Sequence, residues 1–170
     1  ARGHEVKIFD AYYFQWDAQQ LTEKVLDYAP QLVGFSAMTH EINPARELAA
    51  QLKTRLNVPM ILGGCHVTAL PEETMADSPM FDYAIRGEGE RSLAELLETL
   101  QGGGGLTLSQ INGLVWRQGD SVRCNPPCQW LSEQEFEALP RPDFTDYYGQ
   151  NKRALAGPDD YYVMMTSRGC

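Results

Sequence analysis

No apolar run in this chain approaches the roughly 20 residues that a membrane-spanning helix requires. The opening residues Ala1 to Val6 lack the charged, apolar and small-residue segments of a secretory leader. A basic cluster is missing too. Lys and Arg total 14 against 23 Asp and Glu, a formal net charge of −9, and the basic residues are scattered. A duplex nucleic acid or an anionic membrane calls for a basic stripe, so neither is an expected partner. Cysteine is scarce: Cys65, Cys124, Cys128 and Cys170, of which only the middle two are close together. A chain of 170 residues needs no disulfide staples, so the cysteines are expected to be reduced and the protein cytoplasmic. No internal repeat occurs.

What is present is a core. Hydrophobic residues make up 43% of the sequence, enough for one α/β domain with a small appendage. Short apolar runs alternate with helical patterns over the first two-thirds. Val6 to Ala11 reads as a strand. Asp17 can cap a helix with Leu21, Val25 and Tyr28 on one face, stopped by Pro30. Leu32 to Met38 is a nearly continuous apolar run, which suits a strand buried on both faces. Asn43 as cap and Pro44 in the first turn predict a second helix, with Ala45, Leu48, Ala49, Leu52 and Leu56 buried. Pro59 to Leu62 predicts a third strand, Pro71 to Met75 a short helix and Tyr83 to Arg86 a fourth strand. Ser92 and Glu95 have capping-box spacing before a helix carrying Leu93, Leu96, Leu97 and Leu100.

This alternation predicts a doubly wound, Rossmann-like or flavodoxin-like parallel sheet with helices on both faces. Ligands of such sheets bind outside the carboxyl ends of the strands. The candidate residues therefore lie just after the apolar runs: Ser36 to His40, Gly63 to Thr68 and Gly87 to Glu90. Gly102 to Gly105 marks a boundary. Beyond it, Leu114 to Arg117 and Ser121 to Arg123 flank a turn and predict a β-hairpin appendage. Residues 132–138 suit one or two helical turns. Pro140 and Pro142 enforce an extended linker, and Tyr161 to Met165 reads as the strand opening a further domain. The expected division is 1–104, 105–160 and 161–170. Ala1 is not methionine and Cys170 closes the chain, so the expectation is an excised segment.

Taken singly, the motifs have plain alternatives. Gly63-Gly64 lets a backbone approach a large flat ligand, and equally suits a tight turn. The small and hydroxyl residues Ser36, Ala37, Met38 and Thr39 suit hydrogen bonds to a buried heterocycle, and equally a strand that ends in polar residues. His66 suits a ligand contact or a polar loop, and so does His40. Cys124 and Cys128 have metal-ligand spacing but no further ligands nearby in sequence. Gly87-Glu88-Gly89 is a fragment of a dinucleotide fingerprint with Ser92 in place of its third glycine. Glu88 and Glu90 are acidic where a pyrophosphate wants positive charge.

In combination the motifs resemble a known family. Ser36-Ala37-Met38, then Gly63-Gly64 after 24 intervening residues, is similar to the Ser-x-Leu and Gly-Gly segments of cobalamin-binding domains, with Met for Leu. Gly63-Gly64-Cys65-His66-Val67-Thr68, Leu70-Pro71-Glu72-Glu73 and Arg86-Gly87-Glu88-Gly89-Glu90 resemble motifs of cobalamin-dependent radical S-adenosylmethionine enzymes. Leu139-Pro140-Arg141-Pro142-Asp143 and Thr166-Ser167-Arg168-Gly169-Cys170 follow in that family's order.

The resemblance implies cobalamin as cofactor and partner, held by Ser36 to Thr39, Gly63 to His66 and Gly87 to Gly89. It implies that Ser36 bonds the dimethylbenzimidazole while the glycines pass the nucleotide tail. It further implies a following radical domain in the same chain, with a [4Fe–4S] cluster that cleaves S-adenosylmethionine and Cys170 as its first cysteine ligand. The implied activity is C-methylation or anaerobic cyclisation, and no residue before Cys170 is assigned a catalytic role.

Three departures stand against it. The Asp-x-His-x-x-Gly cobalt-ligand loop is absent, as though the first strand and helix preceded Ala1. Loss of that strand would bare hydrophobic edges and favour poor folding or swapping. Only one cluster cysteine is present. A corrinoid methyl carrier and a receiver-like or nucleotide-binding signalling module are the competing readings. The first usually has the histidine loop, and the second needs an acidic phosphoacceptor pocket.

Overall fold

The architecture comes from a computed structural model that describes residues 3–103 and 105–140. Thirteen short elements occur among those residues, and five are strands of one sheet. A helix of one turn, α1 (Ala11–Phe14), leads to α2 (Ala18–Tyr28). Asp17 caps α2 as expected: its carboxylate accepts from Gln20 N at 2.8 Å, and Gln20 returns a bond to Asp17 N. Such a cap stabilises a helix by about 1 kcal/mol. The helix ends at Ala29, held in a left-handed conformation, and Pro30 prevents its continuation.

Strand β1 (Val33–Ser36) leads to α3 (Ile42–Lys53), and β2 (Met60–Gly63) leads to the short helices α4 (Cys65–Ala69) and α5 (Pro71–Ala76). Strand β3 (Tyr83–Ile85) leads to α6 (Glu90–Leu100). A 3-10 turn (Leu108–Gln110) precedes the hairpin β4 (Leu114–Gln118) and β5 (Ser121–Cys124), and α7 (Glu133–Glu137) follows. The sheet order is β1-β2-β3-β4-β5. The first three strands are parallel, and β4 and β5 each run antiparallel to their neighbour.

Strand alternation divides the core between the two faces of the sheet. Met60, Leu62, Ala84 and Val115 join Val25, Ala49, Leu52, Val67, Met75 and Phe81 on one face. Ile61, Ile85 and Leu114 meet Leu96 and Ile111 on the other. Helices α2 to α5 therefore cover the first face and α6 the second. Burying a side chain such as Leu52 or Phe81 is worth roughly 1.5–3 kcal/mol.

Five sequence expectations need correction. Val6 to Ala11 is not a strand: it pairs with none of the described strands, Val6 and Ile8 are exposed, and Ala11 already belongs to α1. An alternating pattern gives a strand only where a neighbour completes the ladder. Instead Phe9 packs edge-on to Tyr28, with ring centroids 6.0 Å apart. Strand β1 is not buried on both faces. It is an edge strand whose Val33 and Phe35 reach the core while Gly34 and Ser36 are exposed.

Helix α3 begins at Ile42 rather than at an Asn43 cap, because the Glu41 carboxylate accepts from Met38 N at 2.8 Å and turns the chain earlier. Ser92 makes no capping box. It lies inside α6, is buried, and its hydroxyl donates to Asn112 O at 2.7 Å. Leu93 and Leu100, expected in the buried stripe of α6, are exposed.

The hairpin beyond the glycine boundary joins the main sheet, since β4 pairs with β3 through Tyr83–Trp116, Ala84–Val115 and Ile85–Leu114. Its turn is Gly119-Asp120, between the register partners Gln118 and Ser121. Pro142 and the anticipated strand at Tyr161 to Met165 lie outside the described residues.

Candidate functional site

Because β1, β2 and β3 are parallel, their carboxyl ends open on one edge of the sheet. Ser36, Gly63 and the Gly87 turn therefore meet there. Ser36 is the register partner of Gly63. Val33 and Phe35 pack on the α2–α3 side, so alternation points Ser36 to the opposite face, which Gly63 shares with Ile61. Ser36 is exposed, and its hydroxyl has no hydrogen bond among the described residues. A Cβ on Gly63 would meet only Phe35 O, at 3.8 Å. The fold therefore does not itself require glycine at 63, and an open lane beside a hydroxyl remains. Met38, 49% exposed, adds an apolar surface at the same end.

Other predicted residues do different work. Ala37 is buried, its N–H donates to Gly63 O at 3.1 Å, and its carbonyl accepts from His66 N at 3.3 Å. It fastens β1 to β2 and has no free group to offer a ligand. Gly64 has φ +98°, and a Cβ there would lie 2.6 Å from Ala37 O. Its glycine is demanded by this backbone contact, whatever room it also leaves for a ligand. Cys65 to Ala69 form helix α4, so His66 is helical and not the polar loop residue weighed for it. There Cys65 is exposed, and His66 Nδ1 lies 3.3 Å from Thr39 Oγ1. His40 is exposed beside Glu41, its Nε2 3.8 Å from the carboxylate.

At the end of β3, Gly87 has φ +80°, and a Cβ on it would lie 2.7 Å from Cys128 Sγ. Cys128 Sγ donates to Arg86 O at 3.3 Å. Gly89 is the cap residue of α6, and half-buried Glu88 lines a cleft of about 150 Å³ with Ser92, Asn112 and Cys128. Around Cys124 and Cys128, as elsewhere among the described residues, no group of three or more His, Cys, Asp or Glu is gathered. Burial pushes the Cys124 thiol above its ordinary pKa, with Arg86 opposing and Glu72 adding. Cys170 lies outside the described residues.

A larger groove of about 790 Å³ runs between α2 and α3 beside Thr22, Ala50 and Arg55. Helix α3 runs from the carboxyl end of β1 to the amino end of β2. Its Thr54–Arg55 end is therefore at the wrong edge of the sheet for a strand-end site, and the Arg55–Glu23 ion pair spans it at 2.5 Å.

Sequence reasoning missed Asn125. It is buried, its Nδ2 donates to Leu108 O and Ile111 O, and its Oδ1 accepts from Trp116 Nε1. No local motif announces a residue whose partners lie in the 3-10 turn, just after it and in β4.

Parallel strands with an open lane at their carboxyl ends define a ligand-binding α/β domain of the doubly wound class. The chain belongs to the B12-binding domain family, whose model matches residues 1–97. An uncharacterized methyltransferase of Pyrococcus horikoshii is 33% identical over 168 residues, 98% of this chain and 35% of that protein. The anaerobic magnesium-protoporphyrin IX monomethyl ester cyclase of Synechocystis is 27% identical over 176 residues, 99% of this chain and 33% of that protein. This chain thus spans about a third of the length of those relatives. The radical S-adenosylmethionine methyltransferase TsrM of Kitasatospora setae, solved with cobalamin and a [4Fe-4S] cluster bound, shares the fold. Its TM-score is 0.64 at 19% identity, covering 79% of this chain and 25% of that one. No helix of the described residues is long and apolar enough to cross a membrane.

Proposed function

We propose that this chain holds cobalamin at the carboxyl edge of its sheet, within a radical S-adenosylmethionine enzyme. The observation that carries the reading is the pairing of Ser36 with Gly63, a ligand-free hydroxyl beside a glycine that the fold does not need. The Ser36 hydroxyl donates to or accepts from a heterocycle of the nucleotide tail, and Gly63 leaves the lane along which the tail lies. Met38 covers an apolar surface of the ligand. Thr39 orients His66 through Nδ1, and Nε2 would be the ring nitrogen left to meet the ligand. Gly87, Glu88 and Gly89 form the far wall.

Bound cobalamin supplies methyl-transfer or redox chemistry at cobalt, which no side chain provides. The residues described here bind and orient it, and none acts on a substrate. A [4Fe-4S] cluster with Cys170 among its ligands, S-adenosylmethionine, and a methyl-transfer or cyclisation reaction belong to the same reading. The names of the methyltransferase and cyclase relatives support it.

Anaerobic titration of the full-length gene product with hydroxocobalamin, followed by visible absorbance, tests the proposal. A saturable shift at one equivalent is expected. Absence of binding sinks it.

A further inference from the structure

Thr68 occupies a position that its own helix does not explain. An exposed threonine late in a helix commonly returns its hydroxyl to the carbonyl four residues back, and Thr68 Oγ1 does so, donating to Gly64 O at 2.9 Å. The same oxygen also accepts from Gly87 N, 19 residues away, at 3.0 Å. One hydroxyl thus joins the turn after β2 to the turn after β3.

Both turns are seated at their outer ends. Gly64 lies against the Ala37 backbone, and Gly87 against Cys128 Sγ, each too close for a Cβ. Ala37 in turn bonds Gly63 and His66. The span from Ala37 through Gly64, Thr68 and Gly87 to Cys128 is therefore one continuous chain of contacts across the three strand ends. Within it, Thr68 is the side chain that hydrogen-bonds the β2–α4 turn to the β3–α6 turn.

We infer that Thr68 is a positioning residue that fixes the separation of the β2–α4 and β3–α6 turns, and through it the width of the ligand site. Only a hydroxyl can donate to one turn and accept from the other with a single atom. Valine keeps the shape and loses both bonds. Serine keeps both bonds and loses a methyl. Thr68 is exposed, so the groups freed by valine are reached by water. The consequence falls on geometry rather than on stability.

The ligand half of this inference rests on the cobalamin reading, and the test separates the two. Amide hydrogen exchange at Gly87 and hydroxocobalamin affinity are measured in the full-length gene product for wild type, Thr68→Val and Thr68→Ser. The expected result is fast Gly87 exchange and about tenfold weaker binding in T68V, the worth of one or two net hydrogen bonds. T68S restores both, and the melting temperature moves by no more than a few degrees. A wild type that binds no cobalamin, with Gly87 exchange still set by residue 68, removes the cobalamin reading and upholds the link between the turns. Equal Gly87 exchange in wild type and T68V overturns the link whatever the cofactor does. Equal affinity of wild type and T68V, or equal loss in T68V and T68S, overturns the positioning role.

Discussion

Ser36 and Gly63 stand opposite each other as the last register pair of β1 and β2, both directed to the face of Ile61. Gly64, one residue on, turns the other way into the Ala37 backbone. Two adjacent glycines thus have separate causes: the first leaves space, and the second fits a contact.

That separation predicts different outcomes for the two substitutions. Gly63→Val should fold normally, because its Cβ meets only ordinary contact, and should weaken cobalamin binding by tenfold or more, about 1.4 kcal/mol. Gly64→Val should destabilise by about 1–3 kcal/mol, because φ +98° and a 2.6 Å approach both resist a side chain. Urea unfolding and visible-absorbance titration distinguish the two. Intact binding in a folded G63V protein would remove the tail from this lane.

Cys65 offers a footprint of the same site. It is exposed immediately after Gly64, whereas burial raises the Cys124 thiol and keeps it protonated to higher pH. Thiolate is the reactive form. Iodoacetamide near neutral pH should therefore modify Cys65 well before Cys124, and the lag of Cys124 should shrink as pH rises. Saturating hydroxocobalamin should slow Cys65 several-fold without changing Cys124, as read by peptide mapping. A Cys65 rate indifferent to cobalamin would place the ligand elsewhere.

The residues legible in sequence were those whose causes are local. Asp17 and Gln20 lie within one turn, so their cap could be read directly. The strand runs at Val33, Met60 and Tyr83 were read from apolar content, and the rule about strand ends made Ser36, Gly63 and Gly87 candidates. The failures were non-local. Val6 to Ala11 alternates like a strand, yet a strand exists only with a partner, and sequence does not supply one. Ser92 has cap spacing, but Asn112 O, 20 residues on, takes its hydroxyl. The close approach of Ala37 to Gly64 is a further cause for that glycine that the sequence does not show. Likewise the return of the hairpin after the glycine run at 102–105 to pair with β3 is a contact the sequence does not show.

Asn125 ties the end of that hairpin to the 3-10 turn that precedes it. Its amide donates to Leu108 O at 2.6 Å and Ile111 O at 2.8 Å, and accepts from Trp116 Nε1 at 3.2 Å. Asn125→Ala would leave three partners unpaired, the Ile111 carbonyl in a buried position and the other two partly buried. The expected cost is about 3 kcal/mol, since each orphaned buried group costs about 1–3 kcal/mol. Asn125→Asp, which loses both N–H donors, should cost a similar amount. Urea unfolding followed by tryptophan fluorescence measures both. A change below about 0.5 kcal/mol, the range of an ordinary surface substitution, would contradict the network.

The open edge of β1 has its own consequence. This strand ends the sheet, and among the described residues no strand pairs with its outer side. Gly34 and Ser36 are exposed, so neither a bulky nor a charged side chain guards the sheet face beside that edge. Unprotected edges template pairing with another chain. The 170-residue chain should therefore self-associate as its concentration rises, in a way that sedimentation velocity resolves. Gly34→Lys tests the route. A Cβ at 34 meets Ile61 Cγ2 at an ordinary 3.5 Å, so the substitution is accommodated, and it sets a charge beside the pairing edge. The dissociation constant should rise about tenfold, roughly the effect of 1.4 kcal/mol, with the melting temperature unchanged at low concentration. Self-association that G34K leaves untouched would shift the contact away from β1. The exposed Val6 and Ile8 would then be the apolar groups to substitute next.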